Sequence, residues 1–291
     1  MSHIAYINGL YEPNKNALIN IEDRGLQFSD GVYEVIYVWN ETPVDYGAHI
    51  ERLSRSLNEL NIPAPMSWRS LTVIIKEVIR RNYLRQGIIY IQISRGVASR
   101  THGYSREMEP SLVVTAKFTA PPSEEIVKKG VKVLSTPDIR WARRDIKSIS
   151  LLPNIIAKQS ALDVKAFESV FYKSDGSVTE ASASNVWIVD KDKTLITHPT
   201  SRDILGGVTR ATILKLARDA GYRISEHSFT LQNMHVADEV FLTGTTTFVM
   251  PVVQVDKHTI ANGYPGECAL ELRDRYIQYI KDVDPVMAWN V

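Results

Sequence analysis

A chain of 291 residues is long enough to bury two cores, and its makeup of 44% hydrophobic and 23% charged residues is that of an ordinary globular protein. A formal net charge of +1 advertises neither a nucleic-acid-binding face nor an acidic tail. The single cysteine, Cys268, excludes an internal disulfide, and seven histidines without an i, i+4 pair predict no metal site. No segment reaches the ~18 apolar residues of a spanning helix, and Met1 to Tyr6 lack a signal-peptide pattern. The expectation is a cytoplasmic protein with no membrane or nucleic-acid partner.

The first half opens on short strands. Ile4 to Ile7 and Tyr11 flank the turn Asn8-Gly9, and Val32 to Val38 is rich in β-branched and aromatic residues. Two helices are predicted next, from the spacing of Ile50, Leu53, Leu57 and Leu60, and of Leu71, Ile74, Ile75, Val78 and Ile79. Ile88 to Ile93 and Leu112 to Ala116 read as buried strands around a polar loop. Thr119 to Ser123, with Pro121-Pro122, is a candidate linker. It predicts an α/β (α+β) two-domain chain, with a small domain over 1–118, a linker over 119–123 and a larger domain over 124–291. Short basic clusters, Arg143-Arg144 and Lys128-Lys129, read as solvated surface. In the larger domain a strand at Val131 to Leu134 precedes a helix from Asn154 to Phe167. A β-meander follows, turning at Ser174-Asp175-Gly176 and Asp190 to Lys193. Residues 209–220 form a helix stopped by Gly221, Glu239 to Leu242 a strand, and Gly266 to Lys281 the last helix.

Three segments of the second half carry chemistry together. Lys147 lies in Asp145-Ile146-Lys147-Ser148, just before an apolar stretch. A lysine drawn into such surroundings favours the neutral amine that condenses with an aldehyde, although a lone lysine usually snorkels to the surface. Glu180 stands after a turn and before Asn185 to Val189; a carboxylate there can hold a protonated pyridine nitrogen, or be an exposed strand-end residue. Gly206-Gly207-Val208-Thr209 opens a helix whose free N–H groups suit a phosphate dianion. It matches neither common nucleotide fingerprint. Gly244 to Thr247 adds hydroxyl and amide donors, and Arg52 offers a balancing cation. Arg100-Thr101-His102, in the polar loop, has the donors to grip a carboxylate. Amine, ring-nitrogen partner and phosphate cup are the parts of one pyridoxal-phosphate site. A module that merely binds such a phosphate has no need of both Lys147 and Glu180.

Read in order, Glu22 to Val35, Ile146-Lys147-Ser148, Thr179 to Val186, Gly207 to Arg210 and Thr245-Thr246 resemble the class IV, fold-type IV pyridoxal-phosphate aminotransferases over nearly the whole chain. The resemblance implies a small N-terminal α/β domain, a larger β-barrel-like cofactor-binding domain, pyridoxal 5′-phosphate between them, and a homodimer. It implies that Lys147 is the catalytic Schiff-base lysine and that Glu180 faces the pyridine nitrogen. Arg52, Val208, Thr209 and Thr245 then hold the phosphate, and Leu205 packs against the ring. Tyr33-Glu34-Val35 and Arg100-x-His102 are similar to the D-amino-acid branch of that family. There Tyr33, Arg100 and His102 would trap the substrate α-carboxylate, the loop reaching in from the partner subunit. The implied reaction is ping-pong exchange between a D-amino acid, such as D-alanine, and a 2-oxo acid, 2-oxoglutarate or pyruvate. Other class IV activities are the alternatives: L-branched-chain or (R)-amine aminotransferase, or aminodeoxychorismate lyase. Ala181, Ala183 and Gly244 depart from the pattern, which puts a serine contact to the cofactor in question, and the loop at Val97-Ala98-Ser99 lacks a proline.

Overall fold

A computed structural model describes residues 3–290 of the chain. The chain falls into two compact units. The first runs to residue 120 and adds 146–150 and the segment from 282; the second takes 121–145 and 151–281. Residues 146–150 therefore pack with the first unit although second-unit chain flanks them on both sides.

The first unit comprises β1 (Ile4–Ile7), β2 (Leu10–Pro13), α1 (Arg24–Phe28), β3 (Gly31–Trp39), β4 (Thr42–Pro43), α2 (Tyr46–Glu59), α3 (Trp68–Arg81), β5 (Gln86–Ser94) and β6 (Ser111–Phe118). Asn8 and Gly9, both at positive φ, close the β1–β2 hairpin. The sheet order is β2-β1-β6-β5-β3-β4, antiparallel throughout. Alternation along β3 and β5 sends Val32, Ile36, Ile89, Ile91 and Ile93 inward, where they meet Ile50, Leu53 and Leu57 of α2 and Leu71, Ile75 and Val78 of α3. Both helices form where their apolar spacing predicts them, and Ser67 caps α3 by accepting from Ser70 N. The short helix α1 has no apolar period and escapes the sequence pattern; Asp23 caps it.

The second unit comprises α4 (Glu124–Lys129), β7 (Val131–Pro137), α5 (Leu152–Asp163), β8 (Glu168–Tyr172), β9 (Val178–Ala181), β10 (Asn185–Val189), β11 (Thr194–Thr197), α6 (Val208–Asp219), β12 (Arg223–Glu226), α7 (Leu231–His235), β13 (Glu239–Gly244), β14 (Phe248–Val255), β15 (His258–Thr259) and α8 (Glu267–Lys281). Its main sheet has the order β12-β11-β10-β13-β14-β7-β8-β9, with β15 beside β14. The strands of the second half do not form the predicted single meander. β8–β9 and β10–β11 are hairpins, but β9 and β10 lie five places apart in the sheet. In a flat sheet that would be about 24 Å, whereas Ala181 to Asn185 spans no more than about 14 Å of extended chain. The sheet must curl until its β9 edge returns to β10. Inside lie Val133, Val170, Val186, Val240, Leu242, Met250 and Val252.

Two other expectations change. α5 stops at Asp163, four residues early, because Lys165 takes positive φ (60°) and the chain turns into β8. Arg144 is no surface residue: it is 11% exposed and paired with Asp138 and Asp203. Lys128 and Lys129 do sit in solvent, each on a glutamate one turn back. No helix among the described residues is long and apolar enough to cross a membrane.

Candidate active site

In the first unit, residues 146–150 run beside the start of β3. Tyr33 N donates to Lys147 O (3.0 Å), Ile149 N to Gly31 O (3.1 Å) and Lys147 N to Ser56 Oγ (3.3 Å). Gly31 permits this approach, since a Cβ there would lie 3.1 Å from Ile149 Cδ1 and 2.7 Å from Ile93 O. The half-buried Lys147 ends with Nζ 4.3 Å from the centre of the Tyr33 ring, which itself leans on Tyr90 at 5.7 Å. Tyr33 and Lys147 are thus one backbone-locked pair.

One residue on, alternation turns Glu34 to the opposite, buried face. Its carboxylate accepts Arg52 Nε (2.7 Å) and Nη2 (2.8 Å) and lies 2.8 Å from His49 Nδ1. His49 and Arg52 are three residues apart on α2, so they share a face. Burial alone would raise the Glu34 carboxyl, but the Arg52 guanidinium and His49 overcome it and hold Glu34 far below the usual carboxylate range. Burial lowers His49, with Glu34 opposing, so its ring is held neutral.

Arg100 and His102 stand apart from that group. Both side chains gather on Phe28 of α1: Arg100 Cζ is 5.1 Å and the His102 ring 5.7 Å from its centre. Both residues are exposed. The three candidate carboxylate ligands are therefore in two groups within one chain, Tyr33 with Lys147, and Arg100 with His102.

In the second unit Glu180 is the last residue but one of β9, with its carboxylate buried. Oε1 pairs with Arg140 Nη1; Oε2 accepts Leu205 N (3.0 Å) and Asn185 Nδ2 (3.3 Å). Asn185 Nδ2 also donates to Leu205 O (3.0 Å), and a Cβ on Gly207 would stand 2.0 Å from Asn185 Oδ1. One asparagine thus ties Glu180, Leu205 and the start of α6 together, and only glycine fits at 207. Gly207 supplies no side-chain cap to α6, so the first-turn N–H groups of Val208 and Thr209 have no intrahelical acceptor. Burial lifts the Glu180 carboxyl above its ordinary range, with Arg140 and the Leu205 N–H pulling the other way. Arg140 is a lasting cation: burial opposes its charge, but Glu180 and Asp138 outweigh it.

Three groups here went unread in the sequence. Arg140 reaches Glu180 across 40 residues and is further held by Asp138 (2.8 Å). Glu168 opens β8 and receives Ser182 Oγ (2.7 Å), Ala183 N (2.8 Å) and Ser184 Oγ (2.9 Å). Both serines beside the altered motif are thereby bound to Glu168. Asn154 on α5 donates to Ser182 O (2.8 Å) from the other side. Asp138 apart, none of these partners is close in sequence; the only signal was that buried charges seldom stand alone. At the neighbouring strand end, register sets Thr243 opposite Asn185, two residues before the half-buried Thr245. Gly244 also has a local reason, because a Cβ would lie 3.3 Å from both Ala183 O and Ser184 Oγ.

The family model for class IV amino-transferases matches residues 31–255. The D-alanine aminotransferase of Bacillus licheniformis is 39% identical over 259 residues, 89% of this chain and 90% of that one. The D-alanine aminotransferase of Staphylococcus aureus (strain MSSA476) is 35% identical over 277 residues, 95% and 97% of the two chains. Among solved structures, a T.th. branched-chain amino acid aminotransferase with pyridoxamine 5′-phosphate superposes with a TM-score of 0.90 at 26% identity, covering 98% and 96% of the two chains. The chain belongs to the class IV aminotransferases. It is an aminotransferase, and enzymes of this class depend on pyridoxal 5′-phosphate.

The residues present fit that cofactor. Glu180 offers a buried carboxylate that already accepts N–H donors, and uncapped α6 offers N–H groups to a dianion.

The polar knot at Glu34 has a signed pH dependence. Glu34, held low, stabilises the fold above the ordinary carboxylate range, and that stability is lost as pH falls through its folded value. His49 is also held low, so protonation favours the unfolded chain and stability declines as pH falls below about 6.5. In a thermal series from pH 7.5 to 5.5, His49→Gln should show a shallower fall in Tm than the wild type. Equal slopes would contradict the buried neutral His49.

Proposed function

We propose that the enzyme moves an amino group from a D-amino acid, such as D-alanine, to a 2-oxo acid, such as 2-oxoglutarate or pyruvate, in two half-reactions. The observation that carries this reading is the gathering of Arg100 and His102 on Phe28, a cation and an imidazole presented together on a loop outside every helix and strand. The similarity to D-alanine aminotransferases supports it. When bound, pyridoxal phosphate supplies an aldehyde for the substrate amine and an electron sink for the carbanion left at Cα.

The chain's residues divide the remaining work. With the cofactor bound, Lys147 would hold it through Nζ, and that amine, once free, would take the proton from the substrate Cα. Its neighbour Tyr33 limits where that amine can swing, because the two backbones are hydrogen-bonded. Glu180 keeps the pyridine nitrogen protonated, and Arg140 and Asn185 keep Glu180 oriented. Val208, Thr209, Thr245 and Arg52 hold the phosphate, and Leu205 lies against the ring. Tyr33 from one copy of the chain, with Arg100 and His102 from a second, fixes the substrate carboxylate. Only one face of Cα then offers its hydrogen to Lys147. This assignment makes the working enzyme a homodimer.

Replacing Lys147 by Ala should reduce D-alanine turnover by on the order of 10³-fold or more; a variant that still transaminates would refute the mechanism. Losing a charge-assisted contact in Arg100→Ala should raise KM for D-alanine about 10- to 100-fold. The donor panel for wild type should include L-leucine, because the T.th. structure is that of a branched-chain amino acid aminotransferase. Turnover of L-leucine without D-alanine would replace the D-specific reading by an L-branched-chain one.

A further inference from the structure

The side chains of Arg100 and His102 are exposed and residues 99–105 lie outside every helix and strand, yet the backbone between them is held from beneath. Arg24, the first residue of α1, is only 4% exposed. Its Nη1 donates to Thr101 O (2.6 Å) and Gly103 O (3.3 Å), and its Nη2 to His102 O (3.2 Å). One guanidinium thus closes over three consecutive carbonyls. Its remaining edge is fixed by Asp30, whose Oδ2 accepts Arg24 Nε at 2.8 Å.

Asp30 in turn accepts Arg95 Nε (2.8 Å) and Nη2 (3.0 Å), and Arg95 continues to Asn61 O (2.9 Å) and Leu60 O (2.8 Å) just past α2. Tyr104 closes the knot, its ring centre 3.6 Å from Arg95 Cζ and 5.8 Å from Arg24 Cζ. The foot of the loop is pinned separately by Arg24 N to Gly96 O (2.9 Å) and Ala98 N to Glu22 O (3.3 Å). A planar fork with five donors can span such a set of acceptors; an ammonium cannot.

We infer that Arg24 is the positioning residue of the carboxylate-binding loop, fixing the carbonyls of residues 101–103 and with them the directions in which Arg100 and His102 project. This rests on the reading of Arg100 and His102 as carboxylate ligands. Arg24 touches no substrate. It removes the freedom that the loop would otherwise surrender on binding.

The test uses the cofactor-loaded protein and the variants Arg24→Gln and Arg24→Lys, with Arg100→Ala for comparison. Backbone hydrogen exchange is read over residues 99–105, beside kcat and KM for D-alanine and half-reaction rates with (R)-1-phenylethylamine, which has no carboxylate. In Arg24→Gln, exchange over 99–105 should accelerate and KM for D-alanine rise about 10-fold. Its kcat and the amine rate should stay within about 2-fold, and Arg24→Lys should lie between it and the wild type. Arg24→Lys keeps a cation opposite Asp30 and carries the test if the glutamine variant does not fold. Unchanged exchange, unchanged KM with faster exchange, or equal loss with the amine would each overturn the inference. If Arg100→Ala leaves KM unchanged while Arg24→Gln still loosens the loop, the carboxylate reading falls and the Arg24 anchor stands.

Discussion

Three residues, Ser182 to Ser184, join two strands that lie five places apart in the sheet of the second unit, and much of the chemistry there follows from that short connection. It obliges the sheet to curl. Curling sets the end of β9 beside the start of β10, so Glu180 and Asn185 meet at hydrogen-bonding distance. The buried Glu168 carboxylate makes the tight turn possible by accepting two serine hydroxyls and the Ala183 N–H, none of which could otherwise be buried cheaply. From there Asn185 reaches Leu205 and confines Gly207, and the uncapped start of α6 follows. The placement of the Glu180 carboxylate and of the uncapped α6 terminus is in this way a consequence of one constraint.

The first unit solves a different problem with similar means. Its β3 presents alternate residues to opposite faces, so Tyr33 and Glu34, neighbours in sequence, take unrelated tasks. Glu34 is spent inward on Arg52 and His49, while Tyr33 faces Lys147. In the same unit, the arginine of α1 hydrogen-bonds three carbonyls of a loop 77 to 79 residues away. Buried charges recur in both units as Glu34–Arg52, Asp30–Arg24–Arg95 and Glu180–Arg140–Asp138, and every member has an opposite charge beside it. Such sets define geometry more than they add stability.

Much of the fold was legible in the sequence because it depends on local period. The spacing of Ile50, Leu53 and Leu57 and the glycine at 221 are signals contained within one element. The family signature was legible too, since Lys147, Glu180 and Gly207 keep a fixed order. What escaped depends on long-range register. Nothing local says that β9 returns to β10, so the hairpins read as one meander. Nothing near Arg140, Glu168 or Arg24 in the chain names its partner, 40, 14 to 16 and 77 to 79 residues away. Arg144 reads as solvated because adjacent basic residues usually are; the buried Asp138 and the half-buried Asp203 decide otherwise. The alanines at 181 and 183 raised doubt about a serine contact, and the structure gives both neighbouring serines to Glu168.

In the proposed reaction Lys147 removes the Cα hydrogen of a D-amino acid held by its carboxylate. The most direct measurement is loss of the Cα deuterium from D- and L-[2-²H]alanine incubated with the cofactor-loaded enzyme in ordinary water, followed by mass spectrometry. Washout is expected from the D-isomer alone, and is expected to be abolished in Lys147→Ala. Washout from the L-isomer alone, or washout that persists without Lys147, would contradict it.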